Sequence, residues 1–337
     1  MRVLVTGSAG HLGEALVRTL RERQHEVAGL DLLDSPFTSH VGSITDTHFV
    51  RGCMQGVDFV MHTAALHKPH VATHSRRVFV ETNICGTLNI LETALASGVS
   101  GVVFTSSTSA FGAALSPTKG QPATWVTEGL QPIPKNIYGV TKMAAEELCE
   151  LFYRSKGMPT IVLRTSRFFP EADDNPEFRQ RYDDLNLKVN EYLYRRVDLA
   201  DAAEAHILAA ERVPAIGFGQ YIVSATTPFQ KDHLSRLRTD VAGVVRSLFP
   251  DYEEEYSRRA WRMLPGIDRV YVNHRAQEEL GWRPRFDFRH VLGRLQRDEN
   301  VFSTLARAVG SKGYHLRSFE DGPYPVESTG SPLPCSS

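Results

Sequence analysis

The stretch Thr6-Gly7-Ser8-Ala9-Gly10-His11-Leu12-Gly13 decides the fold, because it joins a valine-rich segment to an amphipathic one through three glycines. We expect Gly7 to permit a tight turn, Gly10 to let the backbone approach a pyrophosphate, and Gly13 to let a helix pack closely on a strand. A helix that begins at this turn presents unpaired N–H groups and its positive dipole end to phosphate. The stretch therefore predicts a dinucleotide-binding turn.

Short apolar runs alternate with longer amphipathic segments through the first half of the chain. This alternation is typical of a parallel sheet with helices on both faces. We therefore predict an α/β fold, a Rossmann-type doubly wound parallel sheet with a smaller C-terminal substrate-binding lobe. The predicted strands are Val3–Thr6, Glu26–Leu30, Val57–Met61, Gly101–Thr105 and Pro159–Arg164, and the predicted helices are His11–Arg23, Thr82–Ser97 and Asn136–Lys156.

The character of the sequence changes after Pro170, where an acidic and polar stretch, EADDNPEFRQR (171–181), begins. We expect residues 1–170 to form the nucleotide-binding domain, with returning segments from about 197–225. Residues 171–327 are then mainly the substrate-binding lobe. The last ten residues, 328–337, are rich in Ser, Pro and Gly, which predicts a disordered tail.

The bulk composition excludes several classes of partner. The chain has 337 residues, 42% of them hydrophobic, and a formal net charge of −1. This charge leaves no electrostatic footprint for nucleic acid or for an anionic membrane. There is no apolar run near the length of a membrane span, and the apolar start is too brief for a signal peptide. We therefore expect a cytoplasmic protein.

The cysteines and histidines do not form a metal-binding pattern. The cysteines have neither metal nor redox spacing, and Pro69 interrupts the cluster of histidines, so we predict no metal site. The cysteines are Cys53, Cys85, Cys149 and Cys335, and the clustered histidines are His62, His67, His70 and His74.

Asp31 directly follows the second predicted strand, eighteen residues beyond Gly13. A carboxylate at this position accepts hydrogen bonds from a ribose diol and repels a 2′-phosphate, which favours NAD over NADP. The alternative is a solvated aspartate at a strand end.

Tyr138 and Lys142 lie four residues apart at the start of the longest predicted helix, so they share one helix face. A phenol with a pKa near ~10 is a poor base, and lowering that pKa by about three units requires roughly 4 kcal/mol. One cation about 4 Å away at an effective dielectric near 20 supplies about that much. A hydroxyl in the stretch Ser106–Ser109, at the carboxyl end of a strand, can hydrogen-bond the substrate oxygen whose proton Tyr138 removes.

These motifs resemble the extended short-chain dehydrogenase/reductase superfamily, in its NAD-dependent epimerase/dehydratase branch. The resemblance runs over roughly residues 1–300. Its specific parts are TGSAGHLG (6–13), Asp31, HTAA (62–65), Asn83, SSTSAFG (106–112) and YGVTK (138–142), and its weaker parts are LRTSRFFP (163–170), VDLADAAEAH (197–206) and ELGWRP (279–284).

The resemblance implies a role for each matching residue. Ser107 takes the catalytic Ser/Thr position, with Thr108 as a possible substitute, while Tyr138 is the general base and Lys142 its partner. The implied cofactor is NAD, and members often dimerise through the two long helices, which implies a homodimer. The implied cofactor contacts are Gly7, Gly10, His11, Leu12, Gly13, Asp31, Ser43, Ile44, Ala64, Ala65, His67, Asn83, Tyr138 and Lys142. The expected substrate contacts are Ser109, Arg167, Phe168, Arg195 and Arg262.

Departures from the family pattern bear on the substrate. Thr108 and Ser109 stand where 4,6-dehydratases of sugar nucleotides usually hold an acidic pair, which argues against dehydration. Tyr194-Arg195-Arg196 replaces an Arg-Asp pair of many nucleotide-sugar enzymes, and the segment between 170 and 197 is short. Arg195, Arg262 and Arg269 can still hold a diphosphate, unless they are solvated or engaged in salt bridges.

Three functions stay open at this point. The first is an NAD-dependent epimerase of a sugar or nucleotide-sugar that acts by transient hydride transfer at a secondary carbinol. The second is an NAD-dependent dehydrogenase or reductase of a sugar or another polar secondary alcohol. The third is a non-catalytic dinucleotide-sensing protein, although such relatives usually lose the tyrosine or the lysine that this chain retains.

Overall fold

The computed structural model describes residues 1–313 and residue 319. In this part of the chain seven strands form one parallel sheet and two short strands form a second one. The strands are β1 (Arg2–Thr6), β2 (Glu26–Asp31), β3 (His40–Val41), β4 (Phe59–His62), β5 (Gly101–Ser107), β6 (Thr124–Val126), β7 (Thr160–Thr165), β8 (Phe218–Val223) and β9 (Arg269–Tyr271).

The large sheet has the order β3-β2-β1-β4-β5-β7-β8, and every pairing in it is parallel. The chain winds outward from β1 in one direction and then returns to β4 on the other side, so the strand order reverses between β1 and β4. A crevice opens at the carboxyl ends of the strands at such a reversal, and ligands bind there. The predicted doubly wound α/β fold is therefore confirmed.

Helices cover both faces of the sheet. The helices of the described part of the chain are α1 (His11–Glu22), α2 (Thr47–Cys53), α3 (Arg76–Phe79), α4 (Gly86–Ala96), α5 (Ile137–Lys156), α6 (Pro176–Arg181), α7 (Asp184–Glu191), α8 (Leu199–Ile216), α9 (Val241–Leu248), α10 (Tyr252–Arg258), α11 (His274–Glu279), α12 (Phe288–Gln296) and α13 (Thr304–Val309). One face packs against the apolar sides of α1, α8 and α13, and the other against those of α2, α4 and α5. None of the described helices is long and apolar enough to cross a membrane.

Predicted and observed elements differ mainly at their ends. Strand β5 runs two residues beyond its predicted end, which carries it to Ser107. The helix predicted from Thr82 starts earlier, because α3 continues through a π-helical segment, Val80–Cys85, directly into α4. For α5 the prediction was close, since Asn136 caps the helix by accepting a hydrogen bond from Gly139 N at 3.1 Å.

A second apolar core lies in the C-terminal half and includes buried residues of α7, α9, α10 and α12. It also contains chain from the first half, because β6 pairs in parallel with β9. Conversely, Trp282 packs into the core of the large sheet, and its indole N–H donates to the Asp201 carbonyl at 2.9 Å. The two units therefore exchange segments. The boundary at 170 remains a prediction, and 328–337 lie outside the described residues.

Candidate active site

A cavity of about 930 Å³ lies at the carboxyl ends of the central strands. It is lined at one end by the glycine turn after β1 and at the other by residues that follow β5 and β7. Side chains of β9 and of the segment after α13 complete its wall. The cavity therefore extends from the predicted dinucleotide site to the predicted catalytic residues.

The glycine turn has the close contacts that the sequence predicts. Gly7 has a φ of +73°, and a Cβ atom on it would lie 2.8 Å from the Ala64 amide nitrogen. A Cβ on Gly13 would lie 1.9 Å from the Gly7 carbonyl oxygen, so only glycine allows α1 to approach the turn this closely. Gly10 is the N-cap of α1 and has no side chain to cap it, which leaves the first-turn N–H groups available to a phosphate.

Asp31 lies beside this turn and lines the cavity. Its carboxylate accepts hydrogen bonds from Ala9 N at 2.9 Å and from Leu33 N at 3.0 Å. Two backbone amides therefore hold the carboxylate in place at the end of β2, where a ribose diol can donate to it.

Most of the predicted cofactor contacts line the cavity. They are Gly7, Gly10, His11, Leu12, Gly13, Asp31, Ser43, Ile44, Ala64, Ala65, His67, Tyr138 and Lys142.

Asn83 is not among the cavity-lining residues, because its side chain forms hydrogen bonds within the protein interior. It is buried, donates to the Leu66 carbonyl and to Thr141 Oγ1, both at 3.0 Å, and accepts from Leu66 N at 2.8 Å. The residue therefore fixes the loop after β4 to α5, and Leu66 rather than Asn83 forms the cavity wall.

Tyr138 and Lys142 project from the first turns of α5 into the cavity, as their spacing predicts. The Lys142 ammonium donates to the Thr105 carbonyl at 2.7 Å. Ser107 at the end of β5 hydrogen-bonds the Tyr138 phenol. The helix and the strand therefore place a phenol, an ammonium and a hydroxyl together.

The protein residues alone do not lower the pKa of Tyr138, which corrects the expectation drawn from the Y-x-x-x-K spacing. Burial raises that pKa to about 12, and the hydrogen bond from Ser107 opposes the rise only in part. Burial also lowers the pKa of Lys142 to about 8, against the attraction of Glu146. The reason is that desolvation disfavours both charged forms in a fully enclosed site.

Hydroxyl groups cluster at the end of β5. The Ser107 hydroxyl accepts a hydrogen bond from Ser109 N at 3.1 Å, which starts a short 3₁₀ turn over Thr108–Phe111. Ser107, Thr108 and Ser109 all line the cavity. The arrangement brings together both candidates for the catalytic hydroxyl.

A buried ion pair supports the catalytic helix from behind. Glu146 lies one turn after Lys142 and pairs with Arg164 of β7, with an Nη2–Oε2 distance of 2.7 Å. Both side chains are at most 6% exposed. Glu146 also accepts a hydrogen bond from Ser106 of β5. This contact set joins α5, β5 and β7 just below the catalytic residues.

Of the clustered histidines, His62 is buried in the fold and the other three line the cavity. His62 is buried between Thr6 Oγ1 at 2.7 Å and Thr87 Oγ1 at 3.0 Å, and burial lowers its pKa to about 3. His67, His70 and His74 line the cavity. Within the described residues, no group of three or more His, Cys, Asp or Glu side chains is arranged to hold a metal ion.

Four of the five predicted substrate contacts line the cavity, namely Ser109, Arg167, Phe168 and Arg195. Arg262 does not line it. Its side chain is exposed, and its backbone is held by Asn186 and Asn190 of α7. Arg269 of β9 lies in the wall instead.

The arginines at the substrate end are engaged in ion pairs. Arg195 lies 2.7 Å from Glu191, Arg196 lies 2.9 Å from the same carboxylate, and Arg167 lies 2.7 Å from Asp173. Although burial alone would raise the pKa of Glu191, the guanidinium groups of these arginines lower it to about 2.

Several lining residues were not predicted from the sequence. They are Leu66, Lys68, Leu115, Phe169, Asp174, Tyr271, Lys312 and Gly313. Phe169 comes shortly before the acidic stretch 171–181, and Asp174 lies within it, at the start of the predicted substrate-binding lobe. Tyr271, Lys312 and Gly313 have no motif around them, and only the folded chain brings them to the cavity.

The fold and the site together define an NAD-binding enzyme of the short-chain dehydrogenase/reductase type. Residues 3–217 match the model of the NAD dependent epimerase/dehydratase family, and the chain belongs to that family. The resemblance stated from the sequence is thus confirmed, the cofactor is NAD, and the protein is an epimerase or dehydrogenase of this family.

Individual relatives span both kinds of enzyme. A 3-beta-hydroxysteroid dehydrogenase of Mycolicibacterium neoaurum is 28% identical over 85% of this chain and 87% of its own. A UDP-glucose 4-epimerase of Halalkalibacterium halodurans is 26% identical over 85% of this chain and 91% of its own. Among solved structures, a short-chain dehydrogenase/reductase superfamily protein from Agrobacterium tumefaciens with bound NAD has a TM-score of 0.64 and 22% identity, and covers 88% of this chain and 98% of its own. That likeness supports the fold.

Proposed function

We propose that the protein is an NAD-dependent epimerase of a sugar or nucleotide-sugar that acts at a secondary carbinol. The observation that carries this proposal is the placement of Tyr138, Lys142 and Ser107 in one cavity with the glycine turn and Asp31. The glycine turn and Asp31 would hold NAD, which would take up the hydride of the carbinol carbon and return it to the opposite face of the ketone to give the epimer.

Tyr138 and Ser107 handle the proton in this proposal. Because burial raises its pKa to about 12, the phenol holds its proton at neutral pH and is ready to donate it to a ketone oxygen. In the oxidation direction the phenol first gives up its own proton to solvent. The resulting phenolate, which the hydrogen bond with Ser107 favours, then accepts the carbinol proton. Lys142, fixed by Thr105, lines the same cavity as the phenol.

The substrate end of the cavity favours a polar, partly anionic substrate. Three guanidinium groups, of Arg167, Arg195 and Arg196, share two carboxylates, Glu191 and Asp173, so the cluster carries an excess positive charge. Arg269 adds a further guanidinium, paired with the half-exposed Asp268. Guanidinium groups bind phosphate and carboxylate oxygens well, and sugar hydroxyls can accept from them.

The second candidate function is a dehydrogenase or reductase that releases the ketone. The same three catalytic residues serve it, and a hydroxysteroid dehydrogenase is among the relatives. Leu115, Phe168, Phe169 and Tyr271 also give the substrate end an apolar wall that can pack against a ring.

The experiment incubates the purified protein with nucleotide-sugars and with the matching free sugars and uronic acids, with and without added NAD. Products are identified by NMR, and reduced nicotinamide by absorbance. The epimerase proposal predicts an epimer and no net reduced nicotinamide. Accumulating NADH with a ketone or acid product would establish the dehydrogenase instead. If none of these carbinols reacts, either with or without added NAD, the assignment of a sugar substrate is contradicted.

We also propose a homodimer formed through α4 and α5. Four apolar side chains on these helices and the π-helical segment before them are 36–48% exposed. They are Val80, Leu95, Val140 and Leu151. Sedimentation velocity of the wild type and of Leu151→Glu tests this: the wild type should sediment as a dimer and the variant as a monomer, whereas a monomeric wild type would contradict it.

A further inference from the structure

Three parts of the chain that are distant in sequence meet at the carboxylate of Glu171, in the loop after β7. His11 Nε2 of α1 lies 2.9 Å from Glu171 Oε1. The Ser311 hydroxyl donates to the same oxygen at 2.7 Å, and the backbone amides of Lys312 and Gly313 approach it at 3.1 and 3.3 Å. One buried oxygen therefore fastens the segment after α13 to the start of α1.

A second ion pair holds the same segment. The Lys312 ammonium pairs with Glu14, which lies one turn into α1 and also pairs with Arg18 at 2.8 Å. Just upstream, Val309 of α13 is buried in the apolar core that α1 shares. The segment is therefore anchored at Val309 and again where it crosses α1.

This crossing lies at the cofactor end of the cavity. Lys312 and Gly313 line the cavity together with Gly10 and His11, whose backbone forms the phosphate-binding end of α1. We propose that Ser311–Gly313 form a clasp over the bound pyrophosphate of NAD, and that Glu171 is the positioning residue that fastens it. The clasp lies far beyond the family match, which ends at residue 217.

The charge of the Glu171 carboxylate strengthens its hydrogen bonds to the segment Ser311–Gly313. Although burial opposes it, the interactions with His11 and with the Ser311 hydroxyl lower the pKa of Glu171 to about 2, so the carboxylate is charged at neutral pH. NAD must then leave by opening several hydrogen bonds at once, and its dissociation is slow. This inference goes beyond the proposed function, because it requires only that NAD binds and holds for an epimerase or a dehydrogenase.

Limited trypsin digestion of the full chain locates the clasp directly. Trypsin cleaves after lysine, and the Lys312–Gly313 bond lies inside the proposed clasp. Lys119–Gly120 has the same two residues in an exposed loop that does not line the cavity, and serves as the internal control. Intact-mass spectrometry follows both cuts with and without NAD.

The clasp predicts that NAD slows cleavage after Lys312 by at least about tenfold and leaves cleavage after Lys119 unchanged, since cleavage tracks the open population. Cleavage after Lys312 at the same rate with and without NAD would overturn the proposal. Equal protection of both bonds would overturn it as well, because that pattern is global stabilisation by the ligand.

Variants of the anchor test its effect on NAD itself. Glu171→Gln removes the charge of the carboxylate that holds Ser311–Gly313, and Glu177→Gln is the matched control, an exposed glutamate in the first turn of the nearby helix α6. NADH release is followed by its fluorescence after displacement with excess NAD. We expect Glu171→Gln to release NADH about tenfold faster than the wild type and Glu177→Gln to match the wild type.

A merely structural Glu171 would lower the melting temperature without changing the release rate, so both are measured. Ser311→Ala is a milder variant that removes one hydrogen bond to the same oxygen, and it should accelerate release in the same direction by a smaller factor. Wild-type release from both Glu171→Gln and Ser311→Ala would overturn the clasp. Neither readout involves substrate, so failure of the clasp is distinguishable from failure of the proposed epimerase.

Discussion

The Lys142 ammonium donates a hydrogen bond of 2.7 Å to the carbonyl oxygen of Thr105. This contact fastens the first turns of α5 to β5, whose last residue, Ser107, hydrogen-bonds the phenol of Tyr138. The contact therefore helps to position Tyr138, which lies one turn before Lys142 on the same helix.

Replacement of Tyr138 tests the proposed proton transfer. Tyr138→Phe should reduce turnover by roughly 10²–10⁴-fold, because general acid–base groups contribute about that much. Tyr153→Phe, a more exposed tyrosine of the same helix, should retain wild-type turnover. Steady-state rates on the substrate found in the panel decide this, and near-normal turnover of Tyr138→Phe would rule out the mechanism.

Replacement of Glu146 tests whether the buried Glu146–Arg164 ion pair stabilises the fold. Glu146→Gln leaves Arg164 as a buried charge without its carboxylate, which should lower the free energy of unfolding by about 3–5 kcal/mol. Glu147→Gln, its exposed neighbour, should change that free energy by at most about 0.5 kcal/mol. Urea denaturation compares the two, and equal effects would show that the ion pair does not stabilise the fold.

Two glycine substitutions test the dinucleotide turn. Gly13→Ala places a methyl group 1.9 Å from the Gly7 carbonyl, so the turn must shift, and we expect NAD affinity to fall at least about tenfold and stability by roughly 1–3 kcal/mol. Gly52→Ala in α2 meets no atom within 4 Å and should be neutral or up to about 1 kcal/mol stabilising. Calorimetric NAD titration and thermal melts check both, and unchanged NAD affinity in Gly13→Ala would refute the close approach.

Two arginines test the assignment of the substrate end. Arg269→Ala should raise KM about tenfold because it removes a guanidinium from the cavity wall, with kcat less affected. Arg262→Ala should leave KM unchanged, since that side chain is exposed outside the cavity. The reverse order of the two KM effects would show that the substrate binds elsewhere.

The pKa of Lys142 predicts a pH effect on stability. Burial lowers it to about 8 from 10.5, so between these values the unfolded chain binds a proton that the folded chain has lost. Stability must therefore rise with pH in this window, by roughly 3 kcal/mol at most for this group. Lys142→Met lacks this group, and the stability of the wild type relative to it should grow from about pH 8 to about pH 10 in urea denaturation. A constant difference would contradict the lowered pKa.

The fold and the local parts of the site follow from the sequence, because both depend on patterns short enough to see along the chain. The glycine spacing predicts the turn, the four-residue spacing predicts the shared face of Tyr138 and Lys142, and apolar runs predict the strands. The helix predicted from Thr82 in fact begins earlier, because α3, capped by Ser75, and the π-helical segment after it precede α4 without a break.

Features that depend on tertiary contact were not predictable. Nothing near Asn83 in the sequence indicates that its amide bonds to Leu66 and Thr141 rather than lining the cavity. Whether Arg262 or Arg269 lines the cavity depends on the pairing of β6 with β9, which places Arg269 in the cavity wall. The clasp depends on a contact between Glu171 and Ser311, which are 140 residues apart in the chain.

Denaturing the purified protein and identifying the nucleotide that it releases tests the central claim most directly. The account predicts close to one NAD or NADH per chain, retained through purification by a site that Asp31 restricts to the unphosphorylated ribose. Release of NADP, or a protein that takes up no dinucleotide when NAD is added, would contradict it.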